Sequence, residues 1–438
     1  MKNLIILTLF SAFLLAQSQP ISLEESINKG LSNNPEIKIA RAELEKRSEK
    51  KWEITSQMLP KLSLNAGYMR MSEVPEFSLS LPVLPQPVTI VESIPNRYSL
   101  DLRIEQPVFT GFKLSSLRSS AQYQKSAAEI SLEKTINDEK LNITRAFWNF
   151  YKTNKIVKLI EEKLTGIEEH LKNTRSFVQN GLATRNDLLK LEVQYSNIKL
   201  MLTEAENGNR ITRSFFNKAI GAGLFEETDI FADTTNIQIG FDVNDSGFGE
   251  SAAERPEIKI IDKNIGAANE FVSAARSDYF PSVFAYGDFY YNRPNQQIFP
   301  LKDKFDDTWD VGIGLKWTLW DWGGTSARTS QAEYQSQQLI EKRNDLLDKL
   351  KIDIYSKYLS VKKEEEKIQL SKLSVQSAKE NLRITEKKYD MHVATSTDLI
   401  DAENILLEAE TNLTNAVADY KVALAEYYNA TGKDLTGE

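Results

Sequence analysis

The sequence predicts a membrane protein of the α+β class in which pairs of β-strands alternate with very long helices. Three observations lead to this fold class: a plan repeated along the chain, segments of strict apolar–polar alternation, and apolar residues spaced by seven. Alternation is typical of a two-sided strand, and a spacing of seven is typical of a coiled coil. A long repeat indicates a duplicated structural unit.

The duplication is visible as short motifs that recur at fixed offsets. Pro35 returns as Pro256, 221 residues later, and Thr184 returns as Thr395, 211 residues later. The copies therefore differ mainly by ten residues near the strands. We expect a first repeat at 19–221, a linker or equatorial segment at 222–254, a second repeat at 255–432 and a C-terminal tail at 433–438.

The amino-acid composition argues against several classes of function. The chain has no cysteine and only two histidines, His170 and His392, so it can form neither a thiolate nor a histidine-rich metal site. Its net charge of -8 gives no support to nucleic-acid binding. No nucleophile–base set, phosphate loop or metal-ligand spacing occurs, so the sequence predicts no enzyme, no cofactor and no metal.

The first residues differ from the rest of the chain. Lys2 precedes an apolar run at 4–15, and small residues follow at Ala16 and Ser18. This pattern predicts a signal peptide at 1–18 and an exported protein. The alternative is a membrane anchor, but the run is shorter than the roughly 20 residues that a spanning helix needs.

Residues 21–59 are predicted to be helical, and a strand pair follows at about 61–108. The second repeat carries its helix near 257–280 and its strand pair at about 282–319. Each strand has about 9 to 11 residues, the length at which a tilted strand crosses a bilayer. An ordinary soluble sheet with one buried face is the alternative. The charged residues of the strands are expected to face a wet lumen, because charges facing lipid are costly: Asp101, Arg103, Glu105, Asp310 and Lys316.

The first interstrand loop, at 70–97, contains five prolines, and proline disrupts both helices and sheets. We therefore expect no regular structure in this loop.

A long helix is predicted after each strand pair, at about 112–179 and about 324–391. At a rise of ~1.5 Å per residue, each helix is roughly 100 Å long. Return helices follow at about 186–220 and about 397–430. The long helices carry matching apolar columns: Ile136, Ile143, Phe150, Val157, Leu164, Leu171 and Val178 in the first copy, and Leu347, Ile354, Val361, Ile368, Val375, Leu382 and Tyr389 in the second.

The number of strands predicts an oligomer. Two strand pairs cannot close a barrel, because membrane barrels have at least about eight strands. An open sheet in lipid leaves its edge groups without hydrogen bonds. Several chains must therefore contribute strands to one shared trans-membrane β-barrel, and the long helices are expected to continue it as a periplasmic α-helical coiled-coil barrel.

The chain resembles the TolC family of outer-membrane efflux proteins over nearly all of its mature length. The resemblance lies in the duplication, in the Gln106–Phe109 and Leu319–Asp321 segments that lead into the long helices, and in the Ala-Thr turns with their following aspartates. It implies a homotrimer in the bacterial outer membrane, with its helices in the periplasm. It also implies a periplasmic adaptor and an inner-membrane transporter as partners.

The resemblance assigns roles to residues at the helix turns. Asp398 and Asp401 match paired aspartates that form cation-binding rings at the constricted entrance, although an aspartate in a first turn is also typical of helix capping. Tyr389 and Asp187 match positions that hold the closed state. The family's basic residue is absent near Ala394 and Ser396, and Arg185 is the candidate substitute. The tips expected to meet the adaptor are Gly181, Leu182, Ala183, Thr184, Val393, Ala394 and Thr395.

The sequence thus predicts a passive exit duct for efflux or type I secretion, gated at its periplasmic helix tips. The alternative is a structural coiled-coil envelope protein or adhesin, which long heptads and a trimer would also suit. That alternative explains neither the return helices nor two strand pairs per chain.

Overall fold

The computed structural model describes residues 20–72, 75–80, 82–83, 85–91, 93–234, 248–391 and 393–433. The predicted signal peptide at 1–18, part of the segment at 222–254 and nearly all of the tail at 433–438 lie outside these residues. The chain divides into two compact units. The helical unit comprises the described residues of Met1–Ile39, Glu133–Arg255 and Leu347–Glu438, and the sheet unit comprises those of Ala40–Leu132 and Pro256–Leu346.

Helices form most of the described chain. None of them is both long and apolar enough to cross a membrane. In chain order they are α1 (Leu23–Asn33), α2 (Pro35–Ser56), α3 (Lys113–Gln179), α4 (Arg185–Ala219), α5 (Phe248–Glu254), α6 (Pro256–Arg276), α7 (Gly324–Asp390) and α8 (Ser396–Thr431). The strands are β1 (Lys61–Arg70), β2 (Phe77–Leu79), β3 (Val88–Val91), β4 (Asn96–Thr110), β5 (Ser282–Asn292) and β6 (Asp306–Lys316).

In the helical unit, aromatic side chains of α3 and α4 pack together in a buried apolar cluster. Phe216 of α4 is fully buried, and its ring lies 5.6 Å from the ring of Phe150 and 5.9 Å from that of Phe147. Ile27 of α1 joins the same cluster. Burying such large apolar side chains removes them from water, and this burial stabilises the contact between the three helices.

The chain between α1 and α2 is fixed by a single side chain. Asn34 Oδ1 accepts from the backbone N–H of Glu36 at 2.8 Å, which caps the start of α2. The Asn34 amide also donates to Glu139 Oε2 of α3 at 2.7 Å. One residue therefore ends one helix, starts the next and ties both to α3.

The predicted linker or equatorial segment begins with local structure. The Asn217 amide of α4 donates to the carbonyl oxygens of Gly223 at 3.1 Å and Glu226 at 2.8 Å, which holds the chain after the helix in a turn. Ile230 then forms a parallel bridge with Ile21. Helix α5 occupies the end of the segment, and the ring of its Phe248 lies 5.5 Å from the ring of Tyr358 of α7.

The two apolar columns of the long helices are turned inward. Every residue of both columns is buried or half-buried, as the heptad pattern predicts. Ile143, Ile354, Val361 and Ile368 are fully buried. A side chain at every seventh position stays on one face of a helix, so the column marks the packed face.

The main sheet of the sheet unit is antiparallel and has the strand order β1-β4-β5-β6. Leu64 pairs with Leu102, Leu102 with Phe289, and Phe289 with Trp309, so apolar residues form rows across one face. These side chains are exposed in the single chain, Leu64 by 63% and Trp309 by 69%. The structure thus presents a large apolar face that no part of the described chain covers.

The opposite face of the sheet carries the charged residues. Arg103 lies opposite Asp288, with 3.7 Å between Nη1 and Oδ2, and Asp288 lies opposite Asp310. Arg103 also approaches Glu105 at 3.2 Å. The sequence expectation that the strand charges share one face is confirmed by this register.

Two predictions about the strands are wrong. The loop at 70–97 contains regular structure, because β2 and β3 pair as a small hairpin. Its prolines flank these short segments and do not interrupt them. The second strand pair ends at Lys316 rather than near residue 319, since Lys316 pairs with Ser282, the first residue of β5. The Trp317 indole N–H instead donates to the Tyr279 carbonyl oxygen at 3.2 Å.

Candidate functional site

The turn between α3 and α4 ends the first long helix with a left-handed glycine. Gly181 has φ of 74°, a conformation that glycine adopts without a steric penalty. The Leu182 N–H then donates to the Phe177 carbonyl oxygen at 2.8 Å, a bond typical of helix C-termini. The chain is thereby reversed within five residues, and α4 begins at Arg185.

The return helices α4 and α8 begin with the same capping box. Thr184 Oγ1 accepts from the Asp187 N–H at 3.2 Å, while Asp187 Oδ2 accepts from the Thr184 N–H at 3.1 Å. In α8 the corresponding distances for Thr395 and Asp398 are 3.2 Å and 2.8 Å. The two helix starts, 211 residues apart, thus satisfy their terminal N–H groups in the same way.

These contacts define what Asp187 and Asp398 do within one chain. Each carboxylate also accepts from the hydroxyl of its threonine, at 2.6 Å for Asp187 and 2.7 Å for Asp398. The hydrogen bonds from Thr184 lower the pKa of Asp187, and those from Thr395 lower the pKa of Asp398. Both aspartates therefore stay ionised at neutral pH and act as helix caps.

Asp401 has a different environment from Asp398. It lies three residues later on α8, is exposed, and forms no hydrogen bond or ion pair with any residue that the structure describes. The same holds for Arg185 at the start of α4 within the described chain. Neither residue has a partner among the residues that the structure describes, so both side chains are available to other copies or to solutes.

The structure places Tyr389 against α3 and not beside Asp187. The Tyr389 hydroxyl lies 2.9 Å from Thr174 Oγ1, and Thr174 is fully buried. A buried hydroxyl group that loses its hydrogen-bond partner destabilises the fold, so the Tyr389 and Thr174 hydroxyls depend on each other. Tyr389 thus links the end of α7 to α3 in one chain, whereas the Asp187 carboxylate caps α4.

The predicted adaptor-contact tips lie mainly on the surface of the chain. Leu182 is 58% exposed and Val393 is 72% exposed. Gly181, Thr184 and Thr395 are exposed, and Ala183 and Ala394 are half-buried. His392, between the two, lies outside the described residues. The two turns therefore each present an apolar side chain with no core to join.

Sequence reasoning did not identify a buried polar group near these turns. Glu403 of α8 lies 3.1 Å from His170 of α3, measured from Oε1 to Nε2, and 4.0 Å from the Lys163 ammonium, measured from Oε2. Lys163 and His170 are spaced by seven and so share one face of α3. The sequence shows this spacing, but only the packed structure brings Glu403 to it. In the described part of the chain, no group of three or more His, Asp or Glu side chains could hold a metal ion.

Comparison with known proteins gives consistent matches. The profile of the family described as outer membrane efflux protein matches residues 26–221 and 248–433. Outer membrane protein TolC of Vibrio cholerae is 21% identical over 418 residues, which cover 94% of this chain and 90% of that protein. The alkaline protease secretion protein AprF of Pseudomonas aeruginosa is 24% identical over 261 residues, 59% of this chain and 53% of that protein. The crystal structure of the Campylobacter jejuni CmeC outer membrane channel aligns with a TM-score of 0.78 at 16% identity, covering 94% of this chain and 87% of that one.

Long paired helices joined to a two-sided antiparallel sheet define a protein of the outer-membrane channel class. The chain belongs to the outer membrane efflux protein family, the TolC family, as its sequence predicts. It is therefore a protein of the bacterial outer membrane, with its helical part in the periplasm. Members of this family are channels for efflux or secretion and are not enzymes.

Proposed function

We propose that this protein is the passive, gated exit duct of a tripartite efflux or type I secretion system. Three copies share one trans-membrane barrel, and their long helices continue it as a periplasmic tunnel. The observation that carries the proposal is the exposed apolar face of the four-stranded sheet. Its exposed side chains include Leu62, Leu64, Leu100, Leu102, Ile104, Phe289, Trp309, Val311, Ile313 and Leu315.

The ends of the sheet support an assembly of several chains. β1 and β6 are its outer strands, and in the described part of one chain each has a single neighbour. In lipid an unpaired strand edge costs several kcal/mol for each polar group, so the sheet must close with other copies. The charged face then surrounds water, which suits the pairing of Arg103 with Asp288.

The long helices carry a second apolar stripe that also suits neighbouring copies. On α7, Ile352, Leu359 and Leu373 lie at multiples of seven and are exposed by 68%, 47% and 61%. The inward column of α7 already packs within its own chain, so this stripe has no partner among the described residues. Contact with another copy would remove it from water, as expected for helices around a shared axis.

We place the constriction at the start of α8. Asp401 is exposed there without a partner in the described chain, and Asp398 keeps its charge while it caps the helix. Three copies would bring both carboxylates together around one opening. Such rings attract cations and repel anions. Tyr389 with Thr174 holds the end of α7 beside this position, and Arg185 and Asp187 at the adjacent α4 start are latch candidates.

The partners follow from the same assembly. The exposed Leu182 and Val393 mark the turns that would meet a periplasmic adaptor protein. An inner-membrane transporter would supply the energy, since a duct has no energy source of its own. The relatives include an antibiotic efflux pump outer membrane protein and an alkaline protease secretion protein, so export of small molecules and export of proteins both fit this duct.

Single-channel conductance of the purified full-length protein in planar bilayers tests the proposal. The informative variant is Asp401→Ala, because Asp401 makes no contact that the fold of the described chain depends on. Asp398→Asn removes charge and keeps an oxygen that can accept from Thr395. We expect a small, cation-selective wild-type conductance that grows and loses cation preference in the double variant.

Asp187→Asn is the comparison variant, because Asp187 makes the same capping contacts as Asp398 but is a latch candidate and not a member of the proposed aspartate rings. It is expected to enlarge the conductance and to keep the cation preference, whereas the double variant changes both. If correctly folded oligomers show no conductance, the duct is rejected and the structural envelope protein or adhesin is favoured. If all variants conduct like the wild type, the protein is a duct whose constriction lies elsewhere.

A further inference from the structure

Three titratable side chains are packed together inside the helical unit, close to the start of α8. Their side chains are exposed by only 6% for Lys163, 10% for Glu403 and 23% for His170. Glu403 Oε1 lies 3.1 Å from His170 Nε2, whereas Glu403 Oε2 is buried without a hydrogen-bond partner. A buried carboxylate is strongly destabilising unless a cation or a hydrogen-bond donor faces it. The contact between α8 and α3 therefore depends on the charge of the two α3 residues.

The group is connected to all four helices of this region. The Lys163 ammonium donates to Asn404 Oδ1 of α8 at 2.6 Å, and the Gln194 amide of α4 donates to the same oxygen at 3.0 Å. The His170 ring stands edge-on to the ring of Tyr389, with 6.3 Å between centroids. A change at His170 therefore affects α8 directly, through the contact with Glu403, and affects the end of α7 through the contact with Tyr389.

His170 faces acidic groups from more than one helix. Glu403 approaches from α8, and Glu386 and Asp390 act on it from α7. On α4, Glu192 pairs with Arg175 of α3 at 3.3 Å, and Lys190 donates to Thr397 of α8 at 3.0 Å. The hydrogen bond that the His170 ring donates to Glu403 raises the pKa of His170, against the opposing effect of burial. Burial lowers the pKa of Lys163 to about 8, although Glu403 opposes this shift.

Raising the pH changes the stability of the packed arrangement in opposite directions through His170 and through Lys163. The raised pKa of His170 means that its stabilising contribution is complete below 6.5 and is lost as the pH rises through the folded-state pKa. The lowered pKa of Lys163 means that the cost of burying its charge is present at low pH and is relieved only as the pH rises through about 8. Between pH 6.5 and about 8, deprotonation of His170 therefore lowers the stability of the packed arrangement, whereas deprotonation of Lys163, which raises that stability, begins only at higher pH.

We propose that Glu403, His170 and Lys163 form a positioning site that holds the first turns of α8 against α3, and that acid strengthens this hold. Glu403 lies two residues after Asp401 and is half-buried, while Asp401 is exposed. The hold therefore acts on the helix segment that carries the proposed constriction and keeps it closed at acidic pH. The inference rests on the proposed function, because the effect of pH on the channel is opening or closing at that proposed constriction.

Channel conductance between pH 5.5 and 8, with full-length oligomers in planar bilayers, tests the inference. The wild type is expected to open increasingly as the pH rises from 6.5 to 8. Each unit by which the pKa of His170 differs between closed and open states changes their ratio by about tenfold per chain. His170→Gln keeps an N–H donor but does not titrate, so its open fraction is expected to be constant at pH values well below the pKa of Lys163, which is about 8.

Two further variants separate positioning from loss of structure. His392→Gln replaces the only other imidazole of the chain and is expected to keep the wild-type pH profile. Glu403→Gln removes the buried charge and is expected to abolish the pH response as His170→Gln does. A pH response that survives both His170→Gln and Glu403→Gln would overturn the inference.

A second readout does not require conductance. The chain contains no cysteine, so Asp401→Cys introduces a single thiol on the face proposed to line the constriction. The rate at which a water-soluble maleimide modifies this thiol is measured at each pH in two backgrounds, one that keeps His170 and one that also carries His170→Gln. Because the two rates are compared at the same pH, the titration of the thiol itself cancels. Faster modification in the His170→Gln background at pH 6, and equal rates at pH 8, are expected.

The two readouts keep the two proposals distinct. If no variant conducts but the labelling difference at pH 6 is present, the hold on α8 stands and the duct is rejected. If the channel conducts with no pH response between 5.5 and 8 and the labelling rates are equal at every pH, the duct stands and the hold is rejected.

Discussion

At the scale of single residues, two glycines inside helices of the same unit have opposite surroundings. A Cβ atom at Gly30 of α1 would lie 2.5 Å from Ile143 Cδ1 and 2.8 Å from the Ala219 carbonyl oxygen. A Cβ atom at Gly208 of α4 would meet nothing within 4 Å. Helix propensity favours alanine by roughly 1 kcal/mol at both positions, so packing decides the difference.

We therefore predict that Gly30→Ala destabilises the protein and that Gly208→Ala does not. Because the Ala219 carbonyl is backbone, α1 must move away from α4, and overpacking of this kind costs about 1 to 3 kcal/mol. Gly208→Ala is expected to stabilise by about 0.5 to 1 kcal/mol through propensity. Chemical denaturation followed by helical circular dichroism measures both. Equal effects of the two substitutions would show that α1 is not closely packed.

At the scale of elements, the two return helices have nearly identical beginnings. The capping boxes of Thr184 with Asp187 and of Thr395 with Asp398 agree to within a few tenths of an ångström. The helices differ afterwards, because α8 carries the exposed Asp401 and the half-buried Glu403. The two turns therefore share one geometry, while the side chains beyond them differ.

We predict that Thr395→Ala loosens the first turn of α8 and leaves α4 unchanged. The substitution removes the acceptor for the Asp398 N–H, and loss of such a cap costs about 1 kcal/mol. This corresponds to roughly fivefold faster hydrogen exchange of that amide. Thr184→Ala is expected to produce the same effect at Asp187 in α4. Thr395→Ser, which keeps the hydroxyl, is the control, and unchanged exchange in Thr395→Ala would contradict the capping role.

At the scale of the whole molecule, the apolar face of the sheet is the feature that one chain alone does not complete. Adjacent residues of β1 lie on its two faces: Leu64 on the apolar face, paired with Leu102, and Asn65 on the polar face, paired with Asp101. In the proposed barrel, a charge introduced at Leu64 points into lipid, whereas a charge at Asn65 points into water.

We predict that Leu64→Arg lowers the stability of the membrane-inserted oligomer by about 2 to 4 kcal/mol, the cost of arginine near the bilayer midplane. Asn65→Arg is the matched control and is expected to be nearly neutral. Urea titration of folding into lipid vesicles measures the free energies. Similar losses in the two variants would mean that the sheet does not separate lipid from water.

Much of this architecture is predictable because periodic patterns report local structure. The heptad columns predicted which face of α3 and α7 is buried, and alternation predicted which strand residues share a face. The hairpin of β2 and β3 was missed because the count of prolines was used without their positions. The end of β6 was placed too late, since alternation continues through Leu319 although the pairing with β5 stops at Ser282.

The sequence by itself determined the repeat, the long helices, the two-sided strands and the family, because these depend on spacing along the chain. The tertiary structure decided which polar groups meet. Tyr389 pairs with Thr174, which lies 215 residues away, and Glu403 packs against Lys163 and His170 on another helix. Such contacts depend on the rotation and register of packed helices. A difference of one residue in that register would bring a different side chain to His170.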